Sequence, residues 1–128
     1  MKHLLTALLI STTLTACEKQ QVTLPTQTPE TVEQAVKIML SELSENDKEL
    51  LRSADKTDLV KFHRTLGAGI RNDFGLLQDN DELREAACAV DISEYYPIKI
   101  AQDTGSVHNC HPDQASMAII VEAWKALQ

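Results

Sequence analysis

Between Val32 and Leu127, apolar side chains recur every three or four positions, and the runs follow residues that start helices, which restricts the folded part to helices joined through apolar faces. Thr28-Pro29-Glu30 supplies a capping hydroxyl, a first-turn proline and an acidic residue for the positive end of the dipole. Val32, Ala35, Val36, Met39, Leu40 and Leu43 then form one stripe, so the first helix is expected to run to about Leu43. Ser44 with Asp47 predicts a second N-cap, leading into a short helix with Leu50 and Leu51 inward. Asp55 or Thr57 restarts the chain for a longer third helix carrying Leu59, Phe62, Leu66, Ile70 and Phe74 on one side, and Gly75 is placed to end it in the left-handed conformation. After a polar turn at 78–80, Asp81 to about Cys88 reads as a fourth helix. His111-Pro112-Asp113 starts the last one, with Ala115, Ala118, Ile119, Val121 and Trp124 to Leu127 at helical pitch. Only 89–109 resists this reading: Tyr95, Tyr96, Ile98 and Ile100 cluster as in a strand, and 103–106 looks like a turn. The expectation is an all-α bundle of about five helices, with one long loop or short hairpin inserted between Cys88 and Cys110.

Residues 1–16 have the layout of a cleavable export signal: Met1-Lys2-His3 carries positive charge, Leu4 to Leu14 is apolar, and small residues follow. The apolar run has about eleven residues, against roughly 20 needed to span a bilayer. Leu14-Thr15-Ala16-Cys17 resembles the lipobox of bacterial lipoproteins. The resemblance implies cleavage before Cys17 and acylation of its sulfur, with membrane attachment through several acyl chains, each methylene contributing about 0.8 kcal/mol. In enterobacterial lipoproteins an Asp after the cysteine retains the protein at the inner membrane. Glu18 stands there instead, so the implied address is the outer membrane, facing the periplasm.

Residues 17–28 then form a polar tether with the lipidated cysteine at its head, and 29–128 form one helical domain. Fully extended, the tether reaches at most about 40 Å, and about 18 Å on average if flexible. The chain carries a net −7, and its leader holds one of the 12 basic residues and none of the 19 acidic ones, so the mature part is more acidic still. Such a surface is repelled by phosphate backbones and anionic headgroups, which excludes nucleic acid as a partner and basic charge as the means of membrane attachment.

Once Cys17 is acylated, Cys88 and Cys110 are the cysteines left, and an even count in an oxidising compartment argues for a disulfide between them. Closing a loop of about 23 residues stabilises the fold by roughly 3 kcal/mol in the chain-entropy description. A redox pair would favour the close Cys-x-x-Cys spacing, which is absent. His108, Cys110, His111 and Asp113 fall within six residues and include zinc-ligand types. With Cys110 committed to the bridge and His111 at a helix start, no metal and no other cofactor is assigned.

The stretch from Phe62 to Leu76, containing Leu66-Gly67-Ala68-Gly69-Ile70-Arg71-Asn72-Asp73-Phe74-Gly75-Leu76, and the later His111-Pro112-Asp113-Gln114-Ala115-Ser116, are similar to those of an uncharacterised bacterial domain family. Its members carry Leu-Gly-x-x-Ile-Arg-Asn-x-(aromatic)-Gly-Leu and His-Pro-Asp-Asp-x-Ser, with Trp frequent where Phe74 stands and Asp where Gln114 stands. The resemblance spans about Pro29 to Leu127; it implies the helical fold and adds no chemistry. Two glycines inside a helix cost about 1 kcal/mol each relative to Ala, a cost commonly offset by letting another helix come close. Arg71 is expected to pair with Asp113 or to hydrogen-bond the carbonyls of a neighbouring chain end, tying the third helix to the start of the last one.

His63, Arg71, Asn72, Asp113 and Ser116 are thus the candidate polar cluster, structural or ligand-binding. An enzyme or ligand-binding domain built on His63, Arg71 and Asp113 is one alternative, though Ser116 has no Gly-x-Ser-x-Gly elbow, no catalytic residue is assigned, and the acidity opposes anionic ligands. The leading expectation is a protein-binding or accessory module on a lipid anchor. Another alternative is an immunity protein whose acidity speeds capture of a basic toxin. Exposed aromatics such as Tyr95 and Tyr96 would suit a binding face.

Overall fold

The computed structural model describes residues 28–96 and 110–128. They form five α-helices and one 3-10 helix: α1 Val32–Glu42, α2 Glu45–Arg52, the 3-10 helix Lys56–His63, α3 Leu66–Asp73, α4 Asp81–Cys88 and α5 Pro112–Ala126. No strand occurs among the described residues, and the fold is all-α. The leader, Cys17, the tether up to residue 27 and the expected hairpin residues Ile98, Ile100 and 103–106 lie outside the described residues. Residues 89–96 are turns and irregular chain. No helix among the described residues is long and apolar enough to cross a membrane.

Helix α5 organises the rest. Every residue from Ala115 to Val121 is buried, as is Ala123, so the helix is enclosed around its whole circumference for two turns. An apolar stripe needs cover on one side only; a helix apolar all round needs neighbours on every side. Helix α1, the 3-10 helix, α3 and α4 provide them. Met117, Ile119, Ile120 and Val121 are fully buried, worth about 1.5–3 kcal/mol each. From α1 come Ala35 and Met39, from the 3-10 helix Leu59, from α3 Ile70, and from α4 Leu83 and Ala87.

Four helix starts carry side-chain caps, one of them displaced from the expected residue, whereas Asp55 ahead of the 3-10 helix and Thr65 ahead of α3 make no side-chain cap bond. Ser44 Oγ accepts from the Asp47 N–H and Asn80 Oδ1 from the Leu83 N–H, and His111 Nδ1 accepts from the Asp113 N–H with Pro112 in the first turn. For α1 the cap is Thr31, not Thr28: its hydroxyl accepts from the Gln34 N–H at 3.2 Å. Thr28 cannot serve because Pro29, one residue on, is buried outside the helix and its carbonyl accepts from Asn80 Nδ2 at 2.8 Å.

The expected long third helix is divided. Leu59 and Phe62 are three residues apart, the period of a 3-10 helix, whereas Leu66, Ile70 and Phe74 are four apart, the period of one α-helical face. The break falls at Arg64–Thr65. Gly75 ends α3 at φ +70, with the Leu76 N–H bonded to the Arg71 carbonyl and the Gly75 N–H to the Asn72 carbonyl, the paired closure of a Schellman motif.

Helix α2 is the peripheral element. Leu51 is fully buried, but Leu50 is 56% exposed, because adjacent positions lie about 100° apart around a helix and an outer helix has one covered side. Arg52 Nε donates to the Leu127 carbonyl and Gln128 Nε2 to the Arg52 carbonyl, joining α2 to the end of α5. Tyr95 and Tyr96 are half-buried and not the exposed pair expected. Their N–H groups both donate to the Ile92 carbonyl, and buried Ile92 draws this turn onto the core. Tyr95 then meets Trp124 edge-on at 6.0 Å.

Candidate functional site

The stretch around Arg71 and the stretch that begins at His111 meet where α3 crosses the start of α5. Arg71 sits four residues after Gly67, one turn on, so both lie on one face of α3. Asp113 and Ser116 share a face of α5 by the same rule. Arg71 Nε lies 3.3 Å from Asp113 Oδ1, and its Nη1 donates to Ser116 Oγ at 3.0 Å and to the His63 carbonyl at the outer limit of 3.5 Å. Ser116, fully buried, donates its own proton to the Asp113 carbonyl at 2.9 Å. The arginine is 14% exposed and the aspartate 40%, so one partner is largely withdrawn from water. Charge-assisted bonds are about twice as strong as neutral ones, and the buried hydroxyl is satisfied in both its roles. The expected tie between the third and last helices is therefore present, made to the Asp113 carboxylate and the Ser116 hydroxyl.

Gly67 is the notch into which this latch fits. A Cβ there would lie 3.0 Å from Arg71 Nη1 and 3.5 Å from Ser116 Oγ. Gly69, expected to permit a similar approach, does not: its nearest neighbour would be Asp73 Oδ2 at 3.9 Å.

His63 stands at the edge, 24% exposed, its ring stacked on Tyr96 with centroids 6.1 Å apart. Its Nε2 is 3.9 Å from Asp113 Oδ2, beyond hydrogen-bond range, and its Nδ1 is buried with no partner. His111 Nδ1 lies 3.5 Å from the same carboxylate oxygen while it caps α5. Asn72 does not join the cluster. Its side chain is exposed, and its carbonyl serves the turn at Gly75. Acyl chemistry would require a base bonded to the serine; His63 and Ser116 share no hydrogen bond, and Ser116 gives its proton to a carbonyl.

Cys88 and Cys110 form a disulfide with Cα atoms 5.8 Å apart, fixing the end of α4 to the residue before the α5 cap. Cys110 is thereby removed from the expected metal-ligand group, and His108 lies outside the described residues. Among the described residues no three His, Cys, Asp or Glu side chains gather as a metal ion would need.

Two further sites escape sequence reasoning. Asn80 donates from Nδ2 to the Pro29 and Phe74 carbonyls, both at 2.8 Å, besides capping α4. The only signal was a polar residue before an acidic helix start. At the far end of α5, Lys56 Nζ and Lys125 Nζ lie 4.8 and 5.2 Å from the centroid of the Tyr95 ring, and Trp124 Nε1 donates to the Ala54 carbonyl at 3.0 Å. A hydrogen bond to Glu94 raises the Lys56 pKa above the ordinary lysine value, and one to Glu122 raises that of Lys125, burial opposing both. Nothing in the spacing joins these residues beforehand.

The chain belongs to the family described as Domain of unknown function (DUF6794), whose profile matches residues 28–95, more than half of the chain. The match contains Gly67 and Arg71 and stops short of α5, so Asp113 and Ser116 lie outside it. No curated protein and no solved structure matches.

Proposed function

We propose that this DUF6794-family chain is an envelope lipoprotein, anchored through acylated Cys17, whose helical domain binds another protein as an accessory module. The observation that carries this reading is how the signature side chains are used. Arg71, Asp113 and Ser116 satisfy one another within the fold, which supports a structural role for the cluster and leaves function to the outer surface. The Cys88–Cys110 disulfide supports the address, since such bonds persist outside reducing compartments. The tether expected ahead of Thr28 would keep any partner within about 40 Å of the membrane.

The test uses cells fed a labelled fatty acid and treated with a short amine-reactive crosslinker. Wild-type chain is expected to take up label, shift to the shorter form and yield a discrete crosslinked adduct; Cys17→Ser is expected to lose label and adduct together. Absence of label from the wild-type chain overturns the address, and label without any adduct overturns the binding role.

A further inference from the structure

Helix α5 follows in sequence every element that packs on it. The elements before it, α1 to α4 and the 3-10 helix, direct their buried side chains at α5 more than at one another: α1, the 3-10 helix, α3 and α4 all contact it closely, and α2 hangs on its far end through Leu127 and Gln128. Take α5 away and Ala35, Leu59, Ile70 and Leu83 lose the surface that buries them. Arg71 at the same time loses its carboxylate and its serine. Helices of 8 to 11 residues, the lengths of α1 to α4, are too short to persist alone in water, where about 12–15 residues are marginal. The matched family segment, 28–95, is therefore not a complete folding unit in this chain.

We propose that α5 is the folding trigger of this domain: residues 28–96 form an unfilled receptor, and the fold closes only when a helix with the apolar girth of α5 and its Asp113/Ser116 first turn docks on α1, α3, α4 and the 3-10 helix. Synthesis and export run from N-terminus to C-terminus, so the receptor stays open until α5 has followed it. A chain exported while it is still being made is thereby kept open during passage, and the Cys88–Cys110 disulfide seals α5 in place afterwards. The export clause rests on the proposed address; the folding order does not.

The experiment compares single substitutions in the purified chain from residue 18 to 128, followed by hydrogen exchange resolved along the sequence. Ile120→Asp, in the middle of α5, is expected to abolish protection in α1, α3 and α4 together, whereas Met39→Asp, in α1, is expected to remove protection from α1 and leave α3, α4 and α5 protected. Adding a peptide of residues 110–128 to the Ile120→Asp chain is expected to restore protection in α1, α3 and α4 in a saturable manner, and the same peptide carrying Asp113→Ala and Ser116→Ala is expected to need a markedly higher concentration. Protection surviving in α1, α3 and α4 of Ile120→Asp, or Met39→Asp collapsing all elements equally, overturns the proposal. These measurements do not involve export. If they succeed while fatty-acid labelling of Cys17 fails, the folding order stands and the address falls.

Discussion

At its start α5 is fixed by a guanidinium on a carboxylate, a buried serine and a disulfide; at its end it is fixed by one indole N–H, an aromatic edge, two lysines over a ring face and the exposed hydrogen bonds between Arg52 and the Leu127–Gln128 terminus. The first set accepts a single arrangement, because a guanidinium shared between a carboxylate and a buried hydroxyl, together with a covalent bridge, has narrow geometry. The second tolerates sliding, since cation–π contacts are broad and the lysines are substantially exposed. Register is thus set where α5 begins, and the far end contributes area. Substitutions at the two ends should separate these roles.

The largest effect belongs to the disulfide. Replacing Cys88 and Cys110 together by Ala is expected to lower unfolding free energy by about 3 kcal/mol, read from denaturant unfolding with a steeper slope, because the freed denatured chain exposes more surface. Next, Arg71→Met keeps the aliphatic stem but leaves Ser116 without its donor and Asp113 without its cation. A loss of about 2 kcal/mol is expected, below the full figure for a buried pair because Asp113 is 40% exposed. At the other end, Trp124→Phe removes the bond to the Ala54 carbonyl and is expected to cost about 1 kcal/mol. Equal losses at the two ends would erase the contrast.

The two glycines of α3 sharpen it further. Each to Ala gains up to about 1 kcal/mol of helix propensity. Gly69→Ala is expected to keep that gain, since only Asp73 Oδ2 lies near. Gly67→Ala displaces the Arg71 guanidinium from 3.0 Å and is expected to be net destabilising in the same thermal melt. The smallest effect is alkaline. Lys125 is held above its ordinary pKa, first by its hydrogen bond to Glu122, so its contribution is complete below the unfolded lysine value and is lost as pH rises through the folded one. The thermal midpoint of wild type should fall slightly more between neutral pH and pH about 11 than that of Lys125→Met.

How much of this could be read from residues alone differs along the chain. Periodicity gave the helical class, and caps gave the starts of α2 and α5 to within a residue, because Ser44 and His111 act on backbone groups next to them. The Arg71 to Asp113 tie was also legible, from a positive residue beside a glycine-bearing core stripe and an acidic helix start. What failed was non-local. Thr28 fits the local cap pattern, but the Pro29 carbonyl is held by Asn80, more than fifty residues away. The third helix was joined across its break because spacings of three and four both count as helical, though only one suits an α-helix that keeps a single face. Leu50 and Leu51 could not be told apart without knowing how many sides of α2 are covered, and Asn72 was drawn into the cluster by its neighbour Arg71 although its own side chain faces water.

Asn80 has a mechanical consequence. The same amide grips the Pro29 and Phe74 carbonyls while its oxygen holds the first turn of α4. A pull on the chain ahead of Pro29 is therefore shared at once among three parts of the domain and does not peel α1 away turn by turn. Tension on that side meets the two 2.8 Å Asn80 bonds before it reaches α1, so the domain should withstand tugging from its N-terminal side better than its modest size suggests.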